Sequence, residues 1–175
     1  KQLLEMVGIS FIVQPSSIYE DFSVDLKPEE FVQHYAKEKS IDIAKKYQDH
    51  LVIGADTIVV LNHEILGKPS NIEESFNMLK SLSGQIHTVY TGVSLNHIKA
   101  EISDTFFEQT NVTFNNLSDD DITYYIETYT PLDKAGSYGI QDWFAVCVKR
   151  IEGCFYNVMG FPLAAFYDHY KKYIK

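Results

Sequence analysis

The sequence predicts an α/β fold, on three observations. Short runs rich in β-branched and aromatic residues (IGADTIVVL, HTVYTGVSL, TFFEQTNVTF, FAVCVKRI) alternate with stretches whose apolar residues recur at helical spacing. Asn62-His63 separates IGADTIVVL from EILG, as a two-residue hairpin turn would. With 175 residues and 45% hydrophobic content the chain can bury one sizeable core. No repeat, low-complexity tract or linker divides it, so residues 1–175 read as a single domain with room for two lobes.

In chain order, residues 1–7 read as the end of a helix stopped by Gly8, and residues 9–13 as a short apolar strand. A turn-rich loop follows and carries Glu20 and Asp21, a pair whose commonest fate is a solvated acidic loop. A helix is expected over residues 28–47, with Pro28 in its first turn and Val32, Ala36 and Ile43 as its apolar stripe. Ser70 and Glu73 form a capping-box pattern ahead of a helix whose apolar face is Ile72, Phe76 and Leu79. Strands are expected over residues 87–95, 105–114 and 144–151. Ser118 with Asp119, Asp120 and Asp121 resembles a metal site but reads better as a helix cap. A helix rich in tyrosine closes the chain after Gly160-Phe161-Pro162.

Charge and cysteine content exclude several classes. A net charge of −9 argues against a broad nucleic-acid or anionic-membrane surface, while leaving room for one basic pocket. Two cysteines without a CxxC pair, and no histidine pair at ligand spacing, argue for a reducing, cytoplasmic setting and against a structural zinc site. No apolar run approaches the ~20 residues of a membrane span, and no secretory leader pattern is visible. Neither GxxxxGK[ST] nor GxSxG occurs.

The residues that stand out are charges placed where packing prefers apolar groups. Asp56 lies inside an apolar strand, where a charge costs several kcal/mol unless it is paired, hydrated or bound to metal. It either pairs with a core lysine or opens onto a wet pocket. Lys39 falls on the stripe of residues 32, 36, 39 and 43; it either snorkels to the surface or points into a cleft. Lys68 sits between Gly67 and Pro69, and Lys134 lies in the glycine-containing loop PLDKAGSYGIQ. Two acids and three lysines in restricted settings suit a metal-assisted phosphate enzyme. Carboxylates take Mg²⁺ or Mn²⁺, and lysines neutralise a polyphosphate.

The blocks GADTIVVLN-EILGKP, LSGQIHTVYTGVSL, DKAGSYGIQ and NVMGFPL, in this order and spacing, resemble the Maf family of nucleoside triphosphate pyrophosphatases over nearly the whole chain. The resemblance implies a two-lobed Maf/ITPase-like fold, with an elongated mixed sheet flanked by helices and a cleft between lobes. It also implies hydrolysis between the α- and β-phosphates with a divalent cation. By motif, Asp56 matches the proton acceptor for the attacking water and Glu20 the acid near the metal, with Asp56 as a second ligand. Lys39, Lys68 and Lys134 match the phosphate-facing lysines, and Thr57 and Gln141 the positions that differ between specificity groups. Whether Asp56 acts as base or mainly as ligand stays open, since a free Asp, with a pKa of about 3.9, is a weak base.

The GADT and GIQ forms look like the subgroup acting on dTTP and UTP, consistent with a Gln amide meeting a pyrimidine's carbonyl-imide edge. The alternatives are a pyrophosphatase for 7-methyl-GTP or another modified nucleotide, and a non-enzymatic nucleotide-binding regulator of septation. House-cleaning of non-canonical nucleotides, a link to cell-division arrest and homodimerisation are further expectations from the family. The family begins with a strand and a Ser-x-Ser-Pro-Arg-Arg turn. This sequence starts where that segment should end, so the resemblance implies that the segment precedes Lys1 in the natural chain.

Overall fold

The computed structural model describes residues 2–174. Six helices are α1 (Gln2–Met6), α2 (Pro28–Ala44), α3 (Ile72–Leu82), α4 (Asp119–Tyr129), α5 (Phe155–Val158) and α6 (Leu163–Tyr170). Five strands, β1 (Val52–Leu61), β2 (Glu64–Leu66), β3 (Ile86–His97), β4 (Ile102–Phe114) and β5 (Val148–Glu152), form one sheet in the order β2-β1-β3-β4-β5. Both edge pairings, β1 with β2 and β4 with β5, are antiparallel. The fold is therefore α/β, a five-stranded sheet with flanking helices. None of the described helices is long and apolar enough to cross a membrane.

The chain divides into two compact units, the first comprising Lys1–Thr57, Thr91–Glu108 and Gly160–Lys175, the second Ile58–Tyr90 and Gln109–Met159. In the first, α2 buries Phe31, Val32, Tyr35, Ala36 and Ile43, the stripe expected from the sequence. Its backbone lies directly on two glycines. A Cβ on Gly54 would come within 2.3 Å of the Ala36 carbonyl oxygen, and one on Gly92 within 2.2 Å of the Val32 carbonyl oxygen. No larger residue fits at either place. Asn96 Nδ2 donates to Ser40 Oγ at 2.6 Å and fixes the helix near its C-terminal half.

The second unit opens on the hairpin. Asn62 and His63 both take positive φ (50° and 71°), the geometry of a tight β-turn that matches strand twist, and the register pairs Val59 with Leu66 and Leu61 with Glu64. Leu79 and Leu82 of α3, Val112 and Phe114 of β4, and Ile122, Tyr125 and Ile126 of α4 form its core with Tyr138 and Phe144. The α4 cap is as read: Ser118 Oγ accepts from the Asp121 N–H at 3.1 Å and Asp121 Oδ2 accepts from the Ser118 N–H at 3.2 Å.

Four local expectations change. Residues 9–13 form no strand; Ile12 and Val13 are exposed, because β-propensity without a paired neighbour does not make a strand. The α3 cap is one residue later, with Asn71 Oδ1 accepting from the Glu74 N–H at 2.8 Å, which leaves Ile72 in the first turn and exposed. Trp143–Cys147 is a 3₁₀ turn, not strand, because Asp142 caps it by accepting from the Phe144 N–H at 3.0 Å; β5 begins at Val148. The helix expected to reach residue 47 ends at Ala44 and continues as turns. Lys1, expected in the first helix, lies outside the described residues.

Candidate active site

Strand alternation decides where Asp56 goes. Gly54, Asp56 and Ile58 are alternate buried residues of β1, and Gly54 is one of the two glycines on which α2 rests. Asp56 therefore faces the helix that carries Lys39. Lys39 Nζ donates to Asp56 Oδ1 at 2.6 Å and to Glu20 Oε1 at 2.5 Å, so one ammonium bridges two carboxylates. Asp56 is only 4% exposed, and its other oxygen, Oδ2, is buried with no hydrogen-bond partner among the described residues. The lysine forms part of the wall of a cavity of about 650 Å³ in the same unit, together with Ser16, Gly54 and Ala55.

The electrostatics of the trio are unequal. Burial raises the Asp56 pKa to about 6, against the opposing pull of Lys39; Glu20 adds a smaller push upward. Lys39 is lowered by its own burial, but the two carboxylates outweigh this and hold it above its ordinary value. The ammonium stays charged at neutral pH. Asp56 is ionised there too, but is far more basic than a solvated Asp.

Thr57 is half-buried beside Asp56. Its Oγ1 lies 2.9 Å from Thr91 Oγ1 and donates to the Gly160 carbonyl at 3.4 Å. Thr91 was not singled out in the sequence, where a threonine in a strand is unremarkable; neither was Asp42 of α2, to which the loop carrying Glu20 is tied.

Lys68, Lys134 and Gln141 belong to the second unit. The Gly136 N–H donates to the Gly67 carbonyl at 3.0 Å, which ties the loop of Lys134 to the segment of Lys68. Both lysines act on Asp133: Lys134 Nζ donates to its Oδ1 at 3.0 Å, and with a smaller contribution from Lys68 they keep that carboxyl below its ordinary value. Lys68 is exposed; Lys134 is half-buried, its stem laid across Gly139. Tyr125 fixes the rest of the loop, its hydroxyl accepting from the Gly139 N–H at 3.0 Å and donating to Asp142 Oδ2 at 3.1 Å. Gln141 is exposed between those two anchors. Asp133, which pairs with Lys134, carries no sequence signal, since an Asp in a polar loop has no periodicity to betray it.

The donor set suits a divalent cation. Asp56 Oδ2 is a buried carboxylate oxygen lacking a partner, and the Glu20 carboxylate shares Lys39 with it. Among the described residues no group of three or more His, Cys, Asp and Glu side chains could hold a metal. The described residues thus offer two carboxylates and no closed cage. This is the small oxygen set that Mg²⁺ completes with water and phosphate.

A family model described as Maf-like protein matches residues 1–173. A dTTP/UTP pyrophosphatase of Thermotoga petrophila is 46% identical over 171 residues, covering 97% of this chain and 82% of the relative. One from Bacillus cereus is 42% identical over 173 residues (99% and 90%), and one from Halalkalibacterium halodurans 46% over 164 (94% and 85%). On the family match and on identities of this size across most of both chains, the protein belongs to the Maf family.

Proposed function

We infer that the chain is a nucleoside triphosphate pyrophosphatase, hydrolysing dTTP and UTP to the monophosphate and pyrophosphate. The observation that carries the reading is the half-satisfied Asp56: Lys39 holds Oδ1, while Oδ2 is buried and without a partner. The names of the relatives support the reaction and the two substrates.

In this reading a water attacks the α-phosphorus, the bond from that phosphorus to its α,β-bridging oxygen breaks, and pyrophosphate leaves. Asp56 Oδ2 takes the proton of the water. Its raised pKa makes it a better acceptor than an ordinary Asp, yet leaves it ionised at neutral pH. Lys39 keeps Oδ1 occupied, so the free oxygen is fixed in place. Glu20 and Asp56 would hold Mg²⁺ or Mn²⁺, which when bound acidifies water and neutralises phosphate charge. We assign triphosphate contacts to Lys39, Lys68 and Lys134. Base choice falls to Thr57 and Gln141. Of these, Gln141 presents an exposed amide able to donate and accept, whereas the Thr57 hydroxyl already engages Thr91 and Gly160.

The test is product analysis with a panel of nucleoside triphosphates and Mg²⁺ or Mn²⁺. Pyrophosphate and monophosphate from dTTP and UTP, well above ATP and GTP, is the expected result. Release of orthophosphate and a diphosphate, or no turnover of any nucleotide by the folded protein, would overturn the reading.

A further inference from the structure

Glu20 belongs to a stretch, residues 9–27, that has neither helix nor strand, so no regular ladder sets where its carboxylate lies. One stripe of α2 holds the loop on either side of it. Tyr35, Lys39 and Asp42 follow one another at i, i+4 and i+7 and take hold of the loop at three points. The Tyr35 hydroxyl accepts from the Asp21 N–H at 2.7 Å, and Lys39 meets Glu20 itself. Asp42 Oδ2 accepts three hydrogen bonds, from Ser16 Oγ at 3.1 Å, the Ser17 N–H at 3.0 Å and Ser17 Oγ at 3.2 Å. The turn is closed on itself by the Ile18 N–H donating to Ser16 Oγ at 3.1 Å. Glu20 therefore hangs between two anchored points, Ser17 three residues before it and Asp21 one residue after. The remaining neighbour of Asp42 is Lys46, 3.9 Å from its other oxygen and too far for a hydrogen bond.

We propose that Asp42 is a positioning residue of the active site, clasping the Ser16–Ser17 turn so that Glu20 is held where it can bind a divalent cation. The proposal rests on the assignment of Glu20 as a metal-holding carboxylate. It assigns Asp42 no contact with substrate or metal. All three bonds converge on one acceptor oxygen, so the acceptor is the essential part of the clasp and the charge strengthens it. Asn keeps a carbonyl oxygen for the clasp; Ala keeps nothing.

Mn²⁺ binding, read from the spectroscopic signal of the free ion without nucleotide, tests this without requiring turnover. Glu20→Gln is the reference. Asp42→Ala should weaken Mn²⁺ binding about 10-fold, in the range for partners that orient metal ligands, and Asp42→Asn should restore most of it. Ser16→Ala with Ser17→Ala cuts the clasp from the loop side, leaves α2 untouched and should give a smaller loss, because the Ser17 N–H remains. In a Glu20→Gln background Asp42→Ala should cost nothing further, as expected if it acts only through Glu20.

Unchanged binding in Glu20→Gln overturns the assignment of Glu20 itself. Loss in Glu20→Gln with no loss in Asp42→Ala or in the double serine variant overturns the role of Asp42. Additive losses overturn it as well. If Asp42→Ala does not fold, the double serine variant and Asp42→Asn decide.

Discussion

Lys39 and Asp56 meet through one oxygen only. The ammonium lies 2.6 Å from Oδ1, while Oδ2, which is buried, has no partner among the described residues. A carboxylate in this condition is ionised at a cost, since one lone-pair set is desolvated without return. That is why burial outweighs the ion pair and lifts its pKa, even as the same contact raises that of Lys39. The arrangement is poor as a structural device and suited to a proton acceptor.

The first prediction is that Asp56→Asn abolishes catalysis without loss of the fold. The amide oxygen still accepts from Lys39, so packing is kept. Loss of the proton acceptor should lower pyrophosphate release from dTTP by roughly 10³-fold, within the usual range for a positioned general base. Thermal melting beside the turnover assay checks both halves. A variant with parental turnover would remove Asp56 from the chemistry, and one that binds dTTP as well as the parent would show that nucleotide binding does not need it.

The lysine carries the opposite expectation. Lys39→Met leaves Asp56 buried without its cation, and the chain should lose about 2 kcal/mol, below the range for fully buried pairs because Lys39 retains some exposure. Asp56 should then hold its proton to higher pH, so the acid limb of kcat/KM moves upward. Denaturant unfolding and a pH–rate profile are the measurements.

How much of this was legible in the sequence depends on periodicity. Asp56 stood out because it interrupts an apolar strand, and Lys39 because it falls on a helical stripe; their pairing follows from that placement. The hairpin was readable from Asn62-His63, although neither residue is glycine. Residues 9–13 misled because their composition suits a strand whose partner the composition does not reveal. Phe144–Cys147 misled because two buried residues three apart fit a 3₁₀ turn as well as an apolar run fits a strand. Asp42, Thr91 and Asp133 were invisible for a different reason. Each works through a hydrogen bond or ion pair to a residue distant in sequence or in a loop, which no local pattern encodes.

Gly139 gives a prediction that separates binding from turnover. A Cβ there would meet Lys134 Cε at 2.9 Å, on a flexible stem, and Asp142 Oδ2 at 2.8 Å, an oxygen held by the Tyr125 hydroxyl. Gly139→Ala should therefore push Lys134 aside and also strain the Asp142 anchor, with a measurable loss of stability. The KM for dTTP should rise about fivefold, near 1 kcal/mol, a fraction of one charge-assisted hydrogen bond, with kcat almost unchanged. Steady-state kinetics check it, and a fall in kcat with constant KM would take Lys134 out of substrate binding.

The last prediction concerns pH and comes from two groups with opposite signs. His87, 1% exposed, is packed against Phe114 and Tyr138, with Nε2 2.8 Å from the Tyr138 hydroxyl, and burial lowers its pKa to about 4. The folded state thus binds fewer protons than the unfolded one between about pH 4 and 6.5, and the contribution of His87 to stability falls as pH drops through that window. Asp56 runs the other way: its folded pKa of about 6 lies above the ordinary carboxylate value, so the folded state binds more protons between about pH 4 and 6. The net cost of keeping it ionised at neutral pH is relieved by acid. The two effects oppose each other in a global melt, which therefore does not resolve them. They belong to different units of the chain, however, and local hydrogen exchange resolves them. From pH 7 to 5, after correction for intrinsic exchange, amides around Asp56 should gain protection and those around His87 should lose it. In Asp56→Asn the first change should vanish and the second persist; loss of protection at both places in that window would show that Asp56 is not held as a costly buried charge.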